Sequence, residues 1–178
     1  MSLLAEEIVE EWLNRLGYFT LRGVKLGVHE IDLLAVRHTK VGLECRHLEV
    51  QASMRPMSYV TDLPRKVQQE TGRKPKSTKH RPDEELRVGV AEWVEKKWDR
   101  PEKVKLRNAL APGPWSRELV LHLVKHEDEV ERVRERGIKL HRLNESVREL
   151  KSGEGLLLEG AAGAHLLDLV HLGASAPP

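Results

Sequence analysis

Apolar residues recur at helical spacing in LLAEEIVEEWLNRLG, residues 3–17, through Ala5, Val9, Trp12, Leu13 and Leu16. The pattern stops at Gly17, a residue suited to ending a helix. The period then shortens to two. YFTLRGVKL (18–26), HEIDLLAVR (29–37) and KVGLECRHLEVQ (40–51) predict three short strands with tight connections. LRVGVAEWVEKKWD and KVKLRNAL are helical or mixed, and APGPW breaks the chain at 111–115. SRELVLHLVK, EDEVERVRERG and IKLHRL then form a strand, helix, strand unit, the arrangement that favours parallel pairing. NESVRELKSG predicts a closing helix capped by Asn144 and stopped by Gly153. The small, apolar tail, 152–178, is compatible with a helix, a strand or a dimer contact.

A chain of 178 residues is long enough for one sizeable core, so a single domain is expected. Glu6, Glu7, Glu10 and Glu11 follow the N-terminus at once and argue against a signal peptide. No apolar run approaches the roughly 18 residues of a membrane helix. The expectation is a cytoplasmic protein with no membrane partner. A lone Cys45 in a strand is read as a small buried hydrophobe.

The net charge of +2 does not by itself argue for nucleic acid, so clustering matters more. In residues 65–82, RKVQQETGRKPKSTKHRP, Arg65, Lys66, Arg73, Lys74, Lys76, Lys79 and Arg81 stand against Glu70 alone. Gly, Pro, Ser and Thr suggest a mobile loop after a short helix, suited to neutralising phosphates; a solvated loop without ligand fits equally well.

Strand alternation puts Glu30, Asp32 and Leu34 on one face, and Glu49 and Gln51 on one face of the next strand. If those strands pair, Asp32 and Glu49 come close enough to share a hard divalent cation, the usual way to keep two partly buried carboxylates ionised; the structural alternatives are Asp32 satisfying a strand-end backbone amide and Glu49 pairing with Arg46 or Arg22. On the first helix Glu6 lies nearest the apolar arc, Glu10 is intermediate, and Glu7 and Glu11 project toward solvent.

These residues resemble the PD-(D/E)xK nuclease superfamily across 5–51. In archaeal Holliday-junction resolvases a helix Glu precedes a Gly-aromatic-x-x-x-Arg segment by the spacing that Glu6, Gly17, Tyr18 and Arg22 keep. HEIDLLA and HLEVQ look like the GEIDLIA and FVEVK segments of short bacterial members of the superfamily. The resemblance implies an α/β restriction-endonuclease-like αβββαβ core, a mixed sheet flanked by helices, and a DNA endonuclease using Mg²⁺ or Mn²⁺. It carries Asp32, Glu49 and the Val50 carbonyl onto the metal site, with Glu6 assisting from the helix. It also implies DNA as partner and a homodimer that cuts two strands. The basic loop would contact phosphates, and Arg22 is equally a phosphate contact or a structural partner for an acid.

The departure is Gln51, which stands where the family has a lysine. A neutral amide can orient water but cannot stabilise charge developing at phosphorus. Lys25 and Lys66 are candidates to supply that charge from a neighbouring element. The alternative reading is a non-catalytic DNA-binding or protein-interaction module; a small-molecule phosphodiesterase or unrelated α/β protein stands third. His122 and His126, if on one strand, are about 13 Å apart and cannot share an ion. Trp12, Tyr18, Trp93, Trp98 and Trp115 are read as core by preference.

Overall fold

The computed structural model describes residues 2–53 and 55–160. Helix α1 (Ser2–Arg15) leads into the antiparallel strands β1 (Phe19–Leu26), β2 (His29–Thr39) and β3 (Gly42–Gln51). Helices α2 (Arg65–Thr71) and α3 (Asp83–Val94), a π-helical turn (Glu95–Asp99) and α4 (Pro101–Leu110) follow. Strand β4 (Trp115–Leu121), α5 (Glu127–Glu135), β5 (Lys139–Arg142) and α6 (Leu143–Ser152) complete the described chain. The five strands lie in the order β1-β2-β3-β4-β5, with β4 parallel to both β3 and β5. The sheet is therefore mixed, and helices cover both of its faces.

Alternation along the strands sorts the core into two halves. Leu33, Ala35, Leu48, Val50 and Val120 pack against Val9, Trp12 and Leu13 of α1. Leu119 and Leu121 pack against Val90, Trp93, Val94 and Trp98, with Val130 and Val133 of α5. Helix α6 lies beside α1, and Glu149 accepts a 2.6 Å hydrogen bond from the Trp12 indole.

This second neighbour explains why Glu11 is not solvated as the helical arc suggested: it is 1% exposed. Arg15 donates to it at 2.7 Å, while the backbone N–H groups of Leu157 and Leu158 donate to the Arg15 carbonyl. The position before α6 is Arg142, and no side chain caps that helix, so Asn144 does not have the predicted capping role. Gly153 does end it, in the left-handed conformation at φ 69°. Most of the apolar tail, 161–178, lies outside the described residues. Among the described residues no helix is long and apolar enough to cross a membrane.

The π turn follows from the placement of two tryptophans. Residues five apart on an α-helix stand about 140° apart around its axis, which would send one of Trp93 and Trp98 outward. The wider turn buries both, with ring centroids 5.2 Å apart and edge to face. Trp98 then donates its indole N–H to the His47 carbonyl on β3 at 3.1 Å.

Candidate active site

The β2–β3 ladder runs from Thr39↔Gly42 to Leu33↔Leu48. Beyond that pair the strands part, and Asp32 fills the fork by accepting the Val50 backbone N–H at 2.8 Å. Glu49 stands beside it on β3 and is fully buried. The two predicted carboxylates are thus brought together. Burial, followed by the nearby Glu49 charge, pushes the Asp32 carboxyl up to about 7 against the opposing effects of Lys97 and the Val50 N–H. Glu6, buried on α1, adds a smaller push in the same direction.

Glu49 is held from three sides. Its Oε1 receives the Lys103 ammonium at 3.0 Å and faces His47 Nε2 at 3.2 Å, while its Oε2 receives Lys97 at 2.5 Å. Burial alone would raise the Glu49 carboxyl; the His47 hydrogen bond and the two ammonium charges outweigh it and hold it at about 2. Arg107 contacts His47 Nδ1 at 2.6 Å. A guanidinium has only donors, so Nδ1 accepts and the ring proton resides on Nε2, directed at Glu49. Burial holds the His47 pKa down at about 4, so the ring is neutral near pH 7.

Local geometry accounts for this set. Lys103 and Arg107, four apart on α4, are separated by about 6 Å of helix rise. His47 and Glu49, two apart on β3, are separated by about 6.6 Å of strand. The helix spacing matches the strand spacing, and each cation meets its partner. Lys97 arrives from the π turn; its own carbonyl accepts a 2.7 Å bond from Lys103, which ties the two lysines together.

Lys97, Lys103, Arg107 and His47 were missed in the sequence. The available signal was the cation pair four apart in KVKLRNAL matched to HLE on a strand. Gln51, half-buried, ends β3 on the Glu49 side. Lys25 and Lys66 are both exposed, Lys66 lying 3.9 Å from Glu70, and the lysine charge acting on Asp32 is that of Lys97.

Other predicted contacts are distributed differently. Arg22 pairs with Glu10 at 2.8 Å and Glu7 at 3.3 Å, the structural partnership that was its alternative role. The basic loop is tied down. Arg81 is 1% exposed, lies 4.0 Å from the Tyr59 ring centre and donates to the carbonyls of Thr61, Pro75 and Ser77. Arg73 binds Glu85 at 3.0 Å, and Lys76 binds Asp62 at 3.1 Å while staying largely exposed. Lys66, Lys74 and Lys79 are exposed. His122 and His126 follow β4, and His126 stacks on Tyr59 at 4.2 Å.

Among the described residues no group of three or more His, Cys, Asp or Glu side chains is placed to hold a metal ion. The fork brings together two carboxylates, Asp32 and Glu49, and both oxygens of Glu49 are bound by ammonium groups.

No family model matches the chain, and no curated protein matches it. A solved structure described as a protein of unknown function, AF1548, is similar over 80% of this chain at 13% identity and a TM-score of 0.44. The chain spans 58% of the length of that protein's chain.

Proposed function

We propose that this protein is a divalent-metal-dependent DNA endonuclease with a restriction-endonuclease-like core. The observation that carries the reading is the meeting of Asp32 and Glu49 at the β2–β3 fork with the Lys97 ammonium on Glu49. The element order supports it: α1-β1-β2-β3, then β4-α5-β5, with α2 to α4 as an insertion. In this reading Lys97 takes the part that Gln51 cannot.

Asp32, Glu49 and the Val50 carbonyl would hold Mg²⁺ or Mn²⁺, which supplies Lewis-acid polarisation of the phosphodiester when bound. Lys97 neutralises charge developing on the phosphate oxygens. The Gln51 amide orients the attacking water by hydrogen bonding, and Glu6 adds negative charge near Asp32. Lys103 and His47 keep Glu49 ionised and oriented. Lys66, Lys74 and Lys79 offer exposed charge to flanking phosphates, and a homodimer would allow both strands to be cut.

One observation favours the alternative, a non-catalytic module: both Glu49 oxygens already have cationic partners, as in a buried structural ion cluster. Cleavage of a supercoiled plasmid and a labelled four-way junction separates the two. The nuclease reading predicts metal-dependent cutting that disappears in Asp32→Ala. Salt-sensitive DNA binding without cutting would favour the module.

A further inference from the structure

A cavity of about 500 Å³ opens between α2, α3, the π turn and the start of α4, a volume that suits a small molecule. Lys96 lines it, whereas Lys97, the next residue, is bound to Glu49. Asp32, Glu49 and Lys97 do not line it, so it is separate from the fork. Arg100 does line it and is half-buried. Its guanidinium has no hydrogen-bond or ion-pair partner among the described residues, and its Nε is sealed from solvent without an acceptor. An unpaired buried donor is costly, so a guanidinium left unspent beside a cavity calls for an anion. Trp93, 5% exposed, lines the same cavity, and its indole N–H also has no acceptor among the described residues. No side chain caps α4, whose first turn borders the cavity at Pro101 and adds positive potential. Arg65, exposed, and Lys96, 50% exposed, bring two further cations.

Acids balance these cations. Asp62 is met by Lys76 at 3.1 Å and Lys96 at 3.8 Å, Glu92 accepts the Arg65 backbone N–H at 3.2 Å, and Glu95 is exposed. A balanced lining gives a simple anion little net attraction. It favours a molecule with an anionic head for Arg100 and N–H donors for the carboxylates. Leu63, Pro75 and Trp93 supply the apolar wall for a flat body. Three cations and a helix start match a dianionic phosphate better than a single carboxylate. We propose that this cavity binds a nucleoside monophosphate, its phosphate at Arg100 and the start of α4 and its base against the apolar wall. The site uses none of the fork's residues and is independent of the nuclease reading.

The test is calorimetric titration of the full chain, without added metal, with adenosine monophosphate (AMP), adenosine, inorganic phosphate and phenylalanine. AMP should bind at least roughly tenfold more tightly than any of the other three. Arg100→Gln should lose roughly tenfold in AMP affinity yet keep the native thermal midpoint without nucleotide, because the guanidinium has no partner to lose. Arg100→Lys, which keeps the charge without the fork of donors, should fall between the two. Absence of AMP binding by the native chain, or phosphate or phenylalanine binding as tightly as AMP, overturns the proposal. Equal AMP affinity in the native chain and Arg100→Gln overturns it as well. A further measurement needs no change at Arg100: AMP should shift the Trp93 indole N–H resonance, assigned with Trp93→Phe, and leave those of Trp12 and Trp115 in place. An unmoved Trp93 signal at saturating AMP contradicts the site.

Discussion

Lys103 on α4 and Glu49 on β3 meet at 3.0 Å, the lysine side chain 2% exposed and the carboxylate fully buried. A cation desolvated to this degree is tolerated because Glu49 offsets its charge and two of its three hydrogens are donated, to Glu49 and to the Lys97 carbonyl. Removing Lys103 takes away one of the two ammonium groups that compensate the buried Glu49 charge, Lys97 being the other. Lys103→Met should therefore cost about 3–5 kcal/mol, whereas Lys103→Met combined with Glu49→Met should recover much of that loss. Urea unfolding of the two variants checks the expectation; a single variant as stable as the native chain would remove the pair's structural role.

Asp32 and Glu49 should act oppositely on stability as pH changes. The folded-state Asp32 carboxyl lies near 7 against an ordinary 3.8, so its contribution is present at low pH and is lost as pH rises through about 7. Glu49, near 2 against an ordinary 4.5, contributes stability above its ordinary value that is lost as pH falls through about 2. Asp32→Asn should be about as stable as the native protein near pH 4 and more stable at pH 8, by on the order of 1–3 kcal/mol. Metal-free denaturant titrations at the two pH values read this directly; a constant difference would contradict the placement of Asp32.

Arg81 is predicted to be a structural cation even though it lies in the most basic stretch of the sequence. It joins Tyr59, Thr61 and two loop carbonyls inside the protein, with Glu129 Oε1 at 3.8 Å. Glu129 in turn accepts from the backbone N–H groups of Val60 and Thr61. Arg81→Ala should lower stability by about 3 kcal/mol or more. Lys74→Ala with Lys79→Ala should leave the thermal midpoint nearly unchanged and reduce the salt slope of DNA binding. Calorimetry and filter binding at several salt concentrations distinguish the two classes.

The strands around the carboxylates were legible because alternation is local: HEIDLLAVR and LECRHLEVQ carry their faces in their spelling. The parallel unit of β4, α5 and β5 was legible for the same reason. The cations were not. Lys97 lies in EKKWD, which reads as solvated helix until Trp98 is seen to require a π turn, and that requirement comes from the packing of Trp93 against Trp98. Lys103 and Arg107 become informative only when α4 is laid against β3. Glu11 was misjudged because a helical arc assumes one buried side, whereas α1 also meets α6 and the segment after it. Arg81 was misjudged because composition counts charges without saying which of them turn inward.

In the proposed reading Asp32, Glu49 and Lys97 together form a phosphodiester-cleaving site in which Lys97 replaces the lysine missing at Gln51. Its most direct measurement is the nicking of supercoiled plasmid in Mg²⁺ or Mn²⁺ by the native chain, Lys97→Met, and Lys97→Met with Gln51→Lys. Metal-dependent nicking is expected from the native chain, with its loss in Lys97→Met and its return when a lysine is restored at position 51. Undiminished nicking by Lys97→Met, or none by any of the three, would contradict it.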